Sequence, residues 1–159
     1  MGQYHIILNN TRKEWLRPSA FGDGTKLREF GCSMGGTMTG LTLLLAGSNT
    51  GGARGGGDFG APEGHEDMCK VLVGRWAGDR ISIIGDYAQK GDINRVRASK
   101  GLYSNTVSGE DGWADISEHV ILLLEAMGEI AEDRGYSAIT PRSTYCVAAD
   151  TFVPLWKDR

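Results

Sequence analysis

Cysteine is scarce in this chain of 159 residues: Cys32, Cys69 and Cys146 are the only three, an odd number and widely spaced. There is no Cys-x-x-Cys pair, which argues against a zinc ribbon or a thioredoxin-type dithiol and fits a reducing compartment. Histidine is as rare, with three residues, and neither His-x-His nor His-Glu-x-x-His occurs, so no metal site is expected. The longest apolar stretch, Leu41 to Ala46, is far too short to span a bilayer. Met1-Gly2-Gln3-Tyr4-His5 lacks the basic and apolar regions of a secretion signal, and Ile6 stands where a myristoylation pattern needs Ser or Thr. A cytoplasmic protein without membrane contact is the expectation. An excess of basic charge is missing as well. Seventeen Lys and Arg against 20 Asp and Glu leave a net charge of −3, which argues against a nucleic-acid partner.

What remains is the composition of a soluble globular protein, 40% hydrophobic and 23% charged, and the length fits one domain over 1–159. The surplus lies in glycine. There are 24, and they cluster in Gly31-Cys32-Ser33-Met34-Gly35-Gly36-Thr37 and in Gly51-Gly52-Ala53-Arg54-Gly55-Gly56-Gly57-Asp58. Glycine lets the backbone take positive φ and approach a ligand closely, at an entropic cost. Both clusters are therefore candidate sites.

Between them the periodicities place elements. Tyr4 to Leu8 is β-branched and aromatic enough for a strand, closed by the turn-prone Asn9-Asn10-Thr11. Thr25 to Phe30 is a short amphipathic piece that fits either helix or strand. Thr37 to Ala46, rich in Leu and Met, reads as a helix, with Gly40 inside it at a tight crossing. Residues 47–68 read as a long loop and 85–112 as a polar region without assigned structure. Val71 to Trp76 and Arg80 to Ile84 flank Ala77-Gly78-Asp79 and read as a β-hairpin. Asp115-Ile116-Ser117-Glu118 has the form of a capping box, opening a helix over about 116–134 with Gly135 as its stop. Thr144 to Leu155 reads as one or two strands. The expected fold is α+β, a mostly antiparallel sheet packed with two helices, at about 37–46 and 116–134.

Met1-Gly2-Gln3-Tyr4, then Phe21-Gly22-Asp23-Gly24-x-Lys26-Leu27-x-Glu29-Phe30-Gly31, then Trp76-Ala77-Gly78-Asp79-Arg80-Ile81 and Gly85-Asp86-Tyr87 form a pattern over most of the chain. In these motifs the chain resembles a group of small bacterial and phage proteins. The resemblance implies a bacterial or phage setting, in which a counter-defence or immunity role is thinkable. It implies no activity, cofactor or site residue.

Four candidate sites follow from the residues themselves. Ser33, Gly35, Gly36 and Thr37 lead into a helix N-terminus, where exposed amides and the helix dipole attract phosphate or carboxylate. The spacing matches neither the P-loop nor the dinucleotide fingerprint, and the competing reading is a turn in which Ser33 or Thr37 caps the helix. Arg54 and Asp58 sit in the second glycine run, where an arginine on a mobile loop can fork onto an anion, or the run serves only as a flexible loop. Trp76, Asp79 and Arg80 offer a stacking face with polar neighbours, against the competing reading of Trp76 as core and Asp79 as a turn residue. His65, Glu66 and Asp67, with Asp58, form an acidic cluster that reads first as a solvated loop. Gly31-Cys32-Ser33-Met34-Gly35 spells Gly-x-Ser-x-Gly, but a hydrolase sheet does not fit so short a chain.

The ranking that results puts first the binding of a small anionic, nucleotide-like molecule, without cofactor or metal. A protein-binding inhibitor or immunity module comes second, and a small hydrolase using Asp58, His65 or Asp79 third. Homo-oligomerisation fits a small binder, though no sequence pattern demonstrates it.

Overall fold

In the computed structural model of the chain, residues 3–47, 59–89, 101–130 and 140–155 are described. The first strand organises them. β1 (His5–Asn9) is apolar on both sides and pairs antiparallel with β2 (Glu14–Leu16), Ile7 facing Leu16 and Asn9 facing Glu14. Asn9 shapes the connection, since its Oδ1 accepts the N–H groups of Thr11 and Arg12, each at 2.9 Å. This is the local side-chain bonding that makes asparagine a turn former. β3 (Ile81–Gly85) flanks the other side of β1, antiparallel, and the two-residue β4 (Ala114–Asp115) runs parallel to β2. The sheet order is β3-β1-β2-β4, and a second sheet is the hairpin of β5 (Ser143–Cys146) and β6 (Thr151–Pro154). The α+β class and the mostly antiparallel sheet are as the residue patterns indicate.

Successive strand residues point to opposite faces, and both faces of this sheet are covered. Ile7 and Leu16 join Phe21, Phe30, Leu43, Leu44, Leu72, Trp76, Val120 and Leu124 in the larger core. Ile6, Leu8, Trp15, Ile84 and Trp113 form the smaller one, closed by Leu102 and Tyr103. The larger core holds α1 (Leu27–Gly31), α2 (Thr37–Leu45), α3 (Glu66–Leu72) and α5 (Ser117–Ala126), while α4 (Leu102–Ser108) closes the smaller. Gly40 does mark a close crossing. A methyl group there would stand 2.8 Å from the Phe21 ring and 3.1 Å from a Val120 methyl.

Several readings are corrected. Val71 to Trp76 is no strand: α3 runs to Leu72, and only Ile81–Gly85 of the expected hairpin is extended. Gly74 (φ 74°) turns the chain back, and the N–H groups of Gly74 and Trp76 bond the carbonyls of Leu43 and Leu44 at 3.0 and 2.8 Å. Docking on the end of α2 and burial of Leu72 and Trp76 thus override strand propensity. The long loop is shortened by α3, and the polar region 85–112 contains α4. Asp115 does not cap a box. It lies in β4 with Oδ1 accepting the Ser117 N–H at 3.0 Å, while Glu118 is turned toward Arg17. The helix also ends sooner than 134. Gly128 (φ 75°) donates to Glu125 and Glu129 to Leu124, a Schellman stop after Ala126. Gly135 lies outside the described residues.

Candidate functional site

The glycine turn before α2 is closed by the protein itself. Asp23 Oδ2 accepts the Thr37 N–H at 2.7 Å and the Thr37 hydroxyl at 2.6 Å. Ser33 Oγ accepts from Met38 N–H at 3.3 Å and donates to the Phe30 carbonyl at 2.9 Å. The Gly35 N–H goes to Thr39 Oγ1 at 2.9 Å. Gly36 stands as the helix's N-cap residue without a side-chain bond. A carboxylate of the chain therefore already sits where a ligand anion would meet the helix dipole. Ser33, bonded on both sides, caps the turn.

The other residues singled out from the sequence are scattered. Arg54 and Asp58 lie outside the described residues. Trp76 offers no stacking face: it is 0% exposed, and its indole N–H donates to Glu14 Oε2 at 2.8 Å. Its neighbours in the core, not a ligand, receive the ring. Asp79 is held by Asn9 Nδ2 and Arg12 Nε, both at 2.9 Å, and the Arg80 N–H bonds Thr11 Oγ1 at 3.0 Å. His65 precedes α3 with Nδ1 3.2 Å from the Glu63 carbonyl. Among the described residues no group of three His, Cys, Asp or Glu could hold a metal ion.

The polar centre of the molecule lies elsewhere, around Arg75. Glu14, in the buried strand β2 and 1% exposed, receives Arg75 Nε at 2.9 and 3.0 Å and Nη2 at 2.7 Å. From the hairpin turn, Asp150 Oδ1 accepts Arg75 Nη1 at 2.8 Å, and the Asp150 carbonyl accepts Nη2 at 2.9 Å. Tyr145 donates its hydroxyl to the same Oδ1 at 2.7 Å, and Arg12 Nη1 stands 4.0 Å from Oδ2. The guanidinium also lies over the Phe152 and Tyr145 rings, 5.0 and 5.7 Å from their centroids. The Arg75 bond holds the Asp150 carboxyl below the usual carboxylate range, and the bond to Asp150 raises the Tyr145 hydroxyl. This one arginine ties β2, the turn after α3 and the β5–β6 hairpin together.

Above that knot the surface opens. A cleft of about 520 Å³ is lined by Arg12, Lys70, Arg75, Tyr145 and Asp150. It adjoins a hollow of about 670 Å³ lined by Met68, Val71, His119, Tyr145 and Val147, with Lys70, Val71 and Tyr145 common to both. Arg12 and Arg75 already face carboxylates, whereas Lys70 makes no ion pair with a described residue. Sequence reasoning missed this set because Glu14, Arg75 and Asp150 are brought together from 61 to 75 positions apart. The one local signal is Glu14 itself, an acid directly before the apolar pair Trp15-Leu16.

A second polar cluster joins β4 to α5. Arg17 donates Nε to Asp115 at 3.1 Å and Nη2 to Glu118, whose other oxygen has no partner despite its burial. Burial first, and the Asp115 charge second, push the Glu118 carboxyl up to about 7. No family model matches this chain, and no curated protein or solved structure matches it either.

Proposed function

We propose that the protein binds a small anionic, nucleotide-like molecule, seated in the Arg12–Lys70–Tyr145 cleft and not at the glycine turn. The supporting observation is the juxtaposition of two chemistries: cationic and hydroxyl groups in one half, apolar and aromatic ones in the adjoining half, sharing Tyr145. A phosphate meets Lys70, Arg12 and the tyrosine hydroxyl, and a flat apolar body enters the half lined by Met68, Val71 and His119. Ligand sites generally combine apolar walls with a few placed polar groups. Lys70 supplies the positive charge that no described carboxylate neutralises, while Asp150 competes with the incoming anion for Arg75 and Arg12.

Titration calorimetry against inorganic phosphate and a panel of mono- and dinucleotides tests the reading. A charge-assisted hydrogen bond is worth roughly 1.5–3 kcal/mol, so Lys70→Ala weakens binding by about ten- to a hundredfold. Asp150→Asn, which keeps the carbonyl contact to Arg75, tightens it. Absence of heat and of thermal shift across the whole panel defeats the reading.

A further inference from the structure

The hollow that adjoins the cleft has a polarity of its own. It is walled by Asp67, Met68 and Val71 of α3, His119 of α5, and Tyr145 and Val147 of the hairpin. Arg12 and Asp150 border the cleft alone, whereas Asp67 and His119 border the hollow alone. Asp67 is exposed, in the first turn of α3, and no described residue donates to its carboxylate or pairs with it. Lys70, three positions on, shares its helix face without forming an ion pair to it. An ionised carboxylate only accepts hydrogen bonds. At His119 the tautomer follows from the partner. Nε2 lies 2.7 Å from the Ser143 carbonyl, which can only accept, so Nε2 carries the proton and Nδ1 of the neutral ring is an acceptor. The ring is held in place against Phe152, with 5.0 Å between centroids. The polar groups that belong to the hollow alone are thus both acceptors, set among apolar side chains. A flat body entering there must bring donors on its edge.

We infer that the hollow selects guanine among the nucleobases, with Asp67 as the residue that reads it; the inference rests on the nucleotide reading of the cleft given above. Guanine presents its N1–H and its 2-amino group side by side. These are two parallel donors that match the two oxygens of a carboxylate, as a guanidinium does. The other bases lack this fork. Adenine and cytosine place a single amino group beside a ring nitrogen with a lone pair, and uracil places its N–H between two carbonyls. Against Asp67 each of them sets an acceptor on a carboxylate oxygen, so the selection has a repulsive half as well as an attractive one. The remaining hydrogen of the 2-amino group is left for His119 Nδ1. Met68, Val71 and the Tyr145 ring supply apolar contact to the faces of the base, while Lys70, common to both compartments, stays with the phosphate.

Titration calorimetry of the full chain with the monophosphates of guanosine, adenosine, cytidine, uridine, inosine and xanthosine tests it. The guanosine nucleotide is expected to bind about ten- to a hundredfold more tightly than the adenosine one. The inosine nucleotide, which lacks only the 2-amino group, falls between them. Asp67→Asn, at an exposed side chain, exchanges an acceptor for a donor. It is expected to weaken the guanosine nucleotide and to make the xanthosine nucleotide, which carries a carbonyl in place of that amino group, the preferred ligand. A damaged fold does not produce such an exchange. Equal affinity for the whole set leaves the nucleotide reading standing and overturns this inference. So does a guanine preference that Asp67→Asn leaves unchanged. Absence of binding for the whole set overturns it too, and absence that extends to inorganic phosphate and dinucleotides defeats the nucleotide reading with it.

Discussion

Glu14 is the residue on which most of the polar interior depends. Its two oxygens accept three bonds from Arg75 and Trp76 in addition to a fourth, bifurcated contact at Nε, and all three residues are buried. A buried ion pair is a poor source of net stability, because desolvation offsets the attraction; breaking one is costly because the remaining charge stays buried and uncompensated. Glu14→Ala therefore destabilises the protein by about 3–5 kcal/mol, even though Asp150 still faces Arg75. Urea unfolding followed by tryptophan fluorescence checks this, and a loss below about 1 kcal/mol, typical of an exposed pair, contradicts it.

At the scale of elements, α2 shows how packing and propensity compete. Its N-terminus is satisfied by Asp23, 14 positions away, so the loop before α1 is fastened to α2. Its middle contains Gly40, which costs about 1 kcal/mol of helix propensity relative to alanine. Propensity alone makes Gly40→Ala stabilising. The Phe21 ring at 2.8 Å and the Val120 methyl at 3.1 Å reverse the sign, since both belong to the closed core. Overpacking of this kind costs about 1–3 kcal/mol, so thermal unfolding of Gly40→Ala is expected to shift down by several degrees. An upward shift means that the core yields more readily than the spacing indicates. The same competition explains α3. Val71, Val73 and Trp76 favour a strand locally, and the chain forms a helix and turn there because that arrangement buries Leu72 and Trp76 against α2.

Taken whole, the molecule carries an internal pH response. Glu118 has its carboxyl pushed from 4.5 up to about 7 by burial and by Asp115. The folded state holds this proton more tightly than the unfolded chain. Glu118's contribution is complete below 4.5 and is lost as pH rises through about 7. Glu118→Gln, which keeps an oxygen for Arg17, is expected to flatten the fall in melting temperature across this interval and to exceed the wild type at pH 8. Parallel wild-type and variant profiles contradict the assignment. The sequence made β1, α2, the start of β3 and the tail strands legible, because hydrophobic spacing and turn residues are local signals. The close crossing at Gly40 was legible for the same reason. The cleft was not. Its charged residues are single Arg, Lys, Tyr and Asp side chains in unremarkable local contexts, and only the docking of the hairpin over the turn after α3 makes them neighbours. Glycine-rich loops drew attention to conformational freedom, whereas at the described turn Asp23 and Ser33 had already consumed the amides.

The fastening of the β5–β6 hairpin through Asp150 and Tyr145 has a thermodynamic corollary. Lifting the hairpin removes one wall of the cleft, so a molecule held against Tyr145 favours the closed arrangement by its own binding free energy. A substitution that loosens the hairpin therefore weakens binding in proportion to the closed fraction that it removes. Slowed amide exchange in 143–154 on ligand addition would register that coupling even where no contact with the backbone is made.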